Sequence, residues 1–135
     1  MVFLYPIAMD LKDLPFKIGM QYENWEFDLE PIELAEYYDK YSYIKTDISK
    51  ILDFDLEKIY LYFKLDILFK IEIKFKNTSV LTYHHISEAL DKYFNESGGI
   101  AVVNADLFEI VWKKEKLNFQ LQNHLKSKMI KLVVK

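Results

Sequence analysis

The segment 58–76, KIYLYFKLDILFKIEIKFK, constrains the fold more than any other part of this chain. Every odd-numbered position from Ile59 to Phe75 is apolar, whereas the even-numbered positions are mostly charged residues or tyrosine, with Leu68 as the one apolar exception. A period of two is typical of β-structure with one buried face. The segment therefore predicts strands whose odd-numbered residues belong to the core.

The length of this segment excludes one straight strand. At about 3.3 Å per residue it would extend over about 63 Å, which is too long for a domain of this size. Either a hairpin or a strand bent at a bulge is required, and both remain open. A three-residue loop at 65–67 keeps odd-numbered residues paired with odd-numbered ones. A two-residue loop at Leu65 and Asp66 would instead pair Lys64 with Ile67 and set a polar face against an apolar one.

Three further segments have the spacing of apolar residues that is typical of an amphipathic helix. Residues 31–43 begin with a proline, which suits the first helical turn because its missing N–H would have no partner there. Residues 47–54 predict a short second helix. Residues 83–96 predict a third, which Ser97, Gly98 and Gly99 end.

The remaining apolar patterns predict strands. They lie at residues 2–9, weakly at 20–27, at 100–103, in a hairpin at 108–121 whose four-residue loop is 113–116, and at 128–134. The whole chain, residues 1–135, is therefore predicted to form a single α+β domain. We expect a mostly antiparallel sheet of five or six strands with two or three helices packed on it.

Charge is distributed unevenly along the chain. Residues 1–57 contain 13 acidic and 5 basic residues, a net charge of −8, whereas residues 58–135 contain 8 acidic and 13 basic residues, a net charge of +5. All 18 basic residues are lysine. The absence of arginine, which is the usual side chain for guanine edges and for bidentate phosphate contacts, counts against sequence readout of nucleic acid. We therefore expect the lysine-rich strands to be solvated surfaces that oppose edge pairing, with no direct nucleic-acid contact.

An acidic segment, residues 23–39, is the strongest functional feature of the sequence. It carries seven acidic residues and no lysine, interleaved with aromatic residues of the kind that anchor protein interfaces. The predicted partner-binding residues are Glu23, Trp25, Glu26, Asp28, Glu30, Glu33, Glu36, Tyr37, Asp39 and Tyr41. Such a surface predicts a basic protein as the partner, because association would relieve the mutual repulsion of the carboxylates.

No motif in the sequence specifies catalysis, a cofactor or a metal. His84 and Glu88 stand one helical turn apart, but His124 is the only further histidine that could join His84 and His85, and HExxH is absent. Asp53, Asp55 and Glu57 resemble the start of a calcium loop, yet lysine occupies its sixth and twelfth positions. There is no cysteine, and the three glycines form no phosphate-binding loop. We expect no catalytic residue, no metal site and no cofactor.

In size and acidic character the whole chain resembles the immunity proteins of bacterial toxin–immunity pairs, including those of contact-dependent growth inhibition. The resemblance implies a cytoplasmic protein that binds a cognate toxin, often a nuclease with a basic active-site cleft, and blocks it. It implies a monomer within a heterodimeric complex, without catalysis and without membrane contact. The alternatives are a phage-type inhibitor that mimics nucleic-acid charge and a small hydrolase or ligand-binding domain.

Overall fold

A computed structural model of the protein describes residues 11–135, so the strand predicted at residues 2–9 lies outside the described residues. In the described part of the chain, nine strands form one sheet and a single α-helix packs on it. The α+β class is confirmed, whereas the predicted five or six strands and two or three helices are wrong. The strands are β1 (Leu29–Leu34), β2 (Asp39–Tyr43), β3 (Lys50–Ile51), β4 (Phe54–Lys64), β5 (Ile67–Phe75), β6 (Gly99–Val102), β7 (Leu107–Lys114), β8 (Leu117–His124) and β9 (Met129–Val134), and the helix is α1 (Val80–Phe94).

The strand order is β1-β2-β4-β5-β9-β8-β7-β6, with β3 paired to β4 outside this path. Every strand pair in it is antiparallel, and β1 and β6 are the two edges. Helix α1 and the segment 11–28 pack on one face, which we call the core face. Leu61, Ile73, Leu121 and Leu132 are completely buried there. We call the opposite face the open face.

The segment 58–76 forms the hairpin of β4 and β5. Its turn has only two residues, Leu65 and Asp66, which have φ angles of 50° and 63°. Lys64 pairs with Ile67, so the predicted three-residue loop is wrong. Two successive positive φ angles give the turn a twist that matches the twist of the flanking strands.

A β-bulge in β5 resolves the conflict between this turn and the apolar alternation. The pairing shifts between the pair of Tyr62 with Lys70 and the pair of Phe63 with Leu68, which leaves Phe69 as the extra residue. Leu68 is therefore fully buried although its position number is even, and Phe69 is 37% exposed. Beyond the bulge the odd-numbered residues face the core, as the alternation predicts.

The helix predicted at residues 31–43 is wrong. That segment forms the antiparallel hairpin of β1 and β2, in which Leu29 pairs with Tyr43. Tyr41 and Tyr43 point into the core, whereas Lys40 lies in register with Tyr62 of β4. Backbone N–H and C=O groups along β4 form hydrogen bonds with β2. These hydrogen bonds and the burial of Tyr41 and Tyr43 outweigh the weak helical preference of the segment.

The helix predicted at residues 47–54 is also wrong. Ile51 of β3 pairs with Phe54 of β4 across the two-residue turn of Leu52 and Asp53, whose φ angles are 51° and 69°. The weak strand predicted at residues 20–27 is limited to one isolated bridge at Gln21, and 3-10 helices follow at Tyr22–Asn24 and Glu26–Asp28.

Helix α1 confirms the helix predicted at residues 83–96, although it begins one turn earlier. The Ser79 side chain accepts a hydrogen bond of 3.1 Å from the backbone N–H of Thr82 and caps the first turn. The helix ends at Asn95, which has a left-handed φ of 55°, so the predicted stop at the glycines is wrong. Ile86 and Leu90 form its buried stripe.

The predicted hairpin near the end of the chain exists as β7 and β8, with a different register. Its turn has two residues, Glu115 and Lys116, rather than the predicted four at 113–116. Trp112 therefore pairs with Phe119. Because the register differs by two residues, the same side chains still face the core. The predicted last strand is confirmed as β9, and β6 lies close to the strand predicted at residues 100–103.

Gly98→Ala is expected to lower the free energy of unfolding by about 2 kcal/mol, because overpacking a buried site typically has a cost of this size. A Cβ at Gly98 would stand 2.6 Å from Cε2 of Trp112 and would also meet Cγ2 of Ile110. The indole cannot shift freely, since its Nε1–H donates a 3.0 Å hydrogen bond to Asp91. Chemical denaturation measures the loss.

Gly99→Ala is the matched control for this substitution. The nearest atom to a Cβ there is the carbonyl oxygen of Val111 at 3.9 Å, an ordinary contact distance. We expect a change of less than about 0.5 kcal/mol. Equal losses at Gly98 and Gly99 would contradict the close approach of Gly98 to Trp112.

Candidate functional site: the acidic edge of the sheet

Residues 29–39 of the acidic segment 23–39 form one edge of the sheet, whereas residues 23–28 belong to the segment that packs on the core face. The acidic segment comprises two 3-10 turns, the edge strand β1, the connection to β2 and the first residue of β2. Leu29 anchors β1 in the core, and every later residue of that strand is exposed. We call the segment the acidic edge. A hydrogen bond of 2.9 Å from the N–H of Ala35 to the carbonyl of Tyr38 closes the connection between the two strands.

Five of the seven carboxylates of the acidic edge are exposed to solvent. These are Glu23, Glu26, Glu30, Glu33 and Glu36. Glu30 and Glu33 lie in register with Ser42 and Lys40, so both stand on the open-face side of β1. Asp28 and Asp39 are half-buried, and Asp28 is 3.9 Å from Nζ of Lys45. The edge therefore presents a run of carboxylates with little internal neutralisation.

Exposed apolar side chains accompany these carboxylates. Phe27 is 88% exposed, Tyr37 is 74% exposed and Leu34 is 68% exposed, and Ile32 is also exposed at the bulge of β1. Clusters of exposed large apolar residues rimmed by polar ones are typical of interaction sites. Pro31 lies within β1, and proline on an edge strand removes a backbone donor that an incoming strand would use.

Two of the predicted aromatic partner-binding residues pack against the core. Tyr41 is buried and stacks on Tyr22, with 4.8 Å between the ring centroids. Burial is the main cause that raises the pKa of Tyr41 to about 12. Trp25 is half-buried, and its ring lies 5.3 Å from that of Phe16. Both residues therefore fasten the acidic edge to the core, while Tyr37 remains available at the surface.

Glu33 is held by a neighbour from the same hairpin. The Tyr38 hydroxyl donates a 3.3 Å hydrogen bond to Oε1 of Glu33, and the nearby carboxylate raises the pKa of Tyr38. The tyrosine ring in turn lies 5.8 Å from the ring of Tyr62 on β4. These contacts give the carboxylate a defined position at the rim of the open face.

The histidines that a catalytic or metal site would use are dispersed. His84 Nε2 is 2.8 Å from Oε1 of Glu88 on the exposed side of α1, and His124 is half-buried on β8, 3.2 Å from Oε1 of Gln122. Burial lowers the pKa of His124. Among residues 11–135, no group of three or more histidine or carboxylate side chains is arranged to hold a metal ion.

The cavities in the described part of the structure include one of about 310 Å³ beside the loop between β2 and β3, and one of about 550 Å³ between the segment 11–18 and the end of α1. The described residues that line them include none of the three histidines. The larger cavity is lined mainly by apolar residues such as Phe16, Phe94 and Phe119.

The sequence interpretation missed the exposed apolar part of the acidic edge. Under the helical prediction, Ile32 and Leu34 belong to an inward stripe, whereas in the structure both are exposed on an edge strand. The alternation of Lys40 and Ser42 with Tyr41 and Tyr43 was the signal that indicates a strand.

Comparison of the chain with models of known protein families, with curated proteins and with solved structures gave no match. No helix within residues 11–135 is both long enough and apolar enough to cross a membrane.

Proposed function

We propose that this protein is a non-catalytic immunity protein that binds a basic toxin domain through the acidic edge and neutralises it. The observation that carries the proposal is the presence of three exposed carboxylates, Glu30, Glu33 and Glu36, together with the exposed side chains of Ile32, Leu34 and Tyr37 on β1 and its connection to β2. Carboxylates of this kind steer a positively charged partner toward the site, and apolar anchors supply the area that is buried on docking.

The proposed mechanism is occlusion of the partner's substrate-binding surface. Glu30, Glu33 and Glu36 pair with lysine or arginine side chains around a basic cleft, and Tyr37 and Leu34 pack at the centre of the contact. A nuclease is the favoured partner, because its cleft must be basic in order to bind phosphates. The binding site requires no bond-making step, no cofactor and no metal.

The double charge reversal Glu33→Lys with Glu36→Lys is expected to weaken binding of the toxin domain at least about tenfold and to reduce the salt dependence of binding. The partner for this test is the variable C-terminal domain of a large secreted protein, where such a protein is encoded next to this gene. The measurements are the dissociation constant over a salt series and the growth of bacteria that express both proteins.

The matched control is Glu88→Lys with Glu115→Lys, which makes the same charge change at two exposed positions away from the acidic edge. This variant is expected to protect as well as the native protein does. Unchanged affinity and salt dependence for the variant at Glu33 and Glu36 would reject the acidic edge as the interface. Failure of the native protein to bind or protect would reject the immunity function itself.

A second candidate is an inhibitor that mimics the charge of a nucleic-acid backbone. The spacing of Glu30, Glu33 and Glu36 along an exposed edge supports it, since a run of carboxylates can occupy a phosphate-binding groove. Competition with DNA of several sequences for one nucleic-acid enzyme distinguishes it from the toxin-specific inhibitor, which protects against one cognate domain.

A further inference from the structure

The open face carries a row of lysines that the sequence does not place together. Glu33 of β1 pairs with Lys40 of β2, Lys40 pairs with Tyr62 of β4, and Tyr62 pairs with Lys70 of β5. The row therefore starts at Lys40 of β2, beside the acidic edge, and crosses β4 and β5 towards the opposite side of the sheet.

Beyond β5 the same row passes through the last residue of the chain. The register that pairs Ile71 with Val134 brings Lys70 opposite Lys135. Lys135 exchanges two backbone hydrogen bonds with Asn118, of 2.7 and 3.0 Å, and Asn118 pairs with Lys113 of β7. We call Lys40, Lys70, Lys135 and Lys113 the lysine row.

The charges of the lysine row are not neutralised by neighbouring carboxylates. Within residues 11–135, no carboxylate oxygen lies within 4.0 Å of the Nζ of any of the four lysines. Glu72 follows Lys70 by two residues on the same strand, and its carboxylate is buried. It forms an ion pair of 3.3 Å with Nζ of Lys131 and accepts a 3.1 Å hydrogen bond from the hydroxyl of Tyr62. The four lysines of the row therefore form no ion pair among the described residues.

The surroundings of Lys70 lower its pKa. Burial is the main cause; the charge of Glu72 acts in the opposite direction, and the positive charges of Lys135, Lys131 and Lys40 add smaller decreases. An anion bound along the row would relieve the repulsion between these positive charges.

Aromatic rings flank the row at its centre. Nζ of Lys40 lies 4.3 Å from the ring centroid of Tyr60, and Nζ of Lys70 lies 4.5 Å from that of Tyr62. Phe69, the extra residue of the bulge, is partly exposed, and its ring centroid is 6.4 Å from that of Tyr62. Lysines interleaved with aromatic rings are the combination that proteins use for single-stranded nucleic acid, because phosphates meet ammonium groups and bases stack on the rings.

We propose that the lysine row binds the phosphodiester backbone of a single-stranded nucleic acid, with a base stacking on the exposed part of the Phe69 ring. The row crosses six neighbouring strands, from β2 to β7. At the usual spacing between neighbouring strands it extends over about 24 Å. An extended chain can follow such a line, whereas a small anion would contact only part of it. Lysine binds phosphate as a point charge and needs no arginine for contacts that ignore base identity.

This inference goes beyond the proposed function and concerns a different surface. It also departs from the expectation of no direct nucleic-acid contact, which rested on overall charge and on the lack of arginine. The acidic edge and the lysine row stand on separate residues, so the two proposals can fail independently.

The test is fluorescence anisotropy of a labelled oligo(dT) of about 12 nucleotides, measured over a salt series. With four phosphate contacts, we expect the logarithm of the association constant to decrease linearly with the logarithm of the salt concentration. The expected slope of this plot is about −3. Lys40→Gln with Lys70→Gln is expected to bring the slope to about −1.4 and to weaken binding about tenfold. Glutamine keeps much of the side-chain length that covers Tyr60 and Tyr62, so the fold is preserved.

Lys12→Gln with Lys92→Gln is the matched control, because it removes two exposed charges from elements that pack on the core face. It is expected to bind as the native protein does. The proposal is overturned if the native protein does not bind the oligonucleotide at low salt, or if both double variants lose affinity equally. Equal displacement of the oligonucleotide by polyglutamate, or binding to phosphatidylserine vesicles without binding to the oligonucleotide, overturns it as well.

Discussion

Leu68→Ala is expected to lower the free energy of unfolding by about 3 kcal/mol, which is typical of truncating a fully buried leucine. The side chain of Leu68 is fully buried, because the bulge at Phe69 turns this even-numbered position into the core. Strict alternation along the segment would instead leave Leu68 on the solvent side, where truncation costs little. Urea denaturation followed by circular dichroism measures the difference.

Phe69→Ala is the companion experiment, since alternation and the bulge give opposite predictions for the two positions. The ring of Phe69 is partly exposed and meets the ring of Tyr62 in an edge-to-face arrangement. We expect a loss of less than about 1 kcal/mol. A larger loss at Phe69 than at Leu68 would show that the bulge is absent and that the hairpin has the register of a three-residue loop.

Lys131→Met is expected to destabilise the protein by about 2–3 kcal/mol. The substitution leaves the buried carboxylate of Glu72 with the Tyr62 hydroxyl as its remaining close partner. Breaking a buried ion pair by removing one partner is costly because an uncompensated charge stays inside the protein. This loss of stability is at or below the lower end of the range usual for breaking a buried ion pair. The reason is that the side chain of Lys131 is 18% exposed, so water partly screens the pair.

The double variant Glu72→Leu with Lys131→Met separates this cause from a simple loss of packing. When both charges are removed, the desolvation cost disappears, and we expect most of the stability to return. A double-mutant cycle by chemical denaturation gives the coupling energy directly. If the double variant is less stable than Lys131→Met alone, the destabilisation comes from lost packing and not from an unpaired charge.

The hairpins show how far periodicity determines a β-fold. In 58–76 and in β7–β8 the alternation correctly identified the core-facing side chains over most of the length, because side-chain direction depends only on parity. The turns were predicted with the wrong length, since Leu65, Asp66, Glu115 and Lys116 include no glycine or asparagine that would mark a tight turn.

The acidic edge was predicted as a charged segment but not as a strand. Glutamates spaced three apart, Glu30, Glu33 and Glu36, satisfy a helical pattern as well as an exposed edge strand. The choice depends on whether a neighbouring strand offers free backbone groups, and β4 supplies them to β2. The sequence of residues 31–43 by itself does not show that β4 is available as a pairing partner.

The sequence by itself determined the α+β class, the core face of the long hairpin, the existence of α1 and the concentration of acid in residues 23–39. These properties follow from composition and from the period of side chains along one segment. Tertiary structure alone decided that residues 31–43 are a hairpin, that Leu68 replaces Phe69 in the core, and that lysines from separate strands share one row. Each of these depends on the register between strands, which is set by backbone pairing across the sheet and not by any one segment.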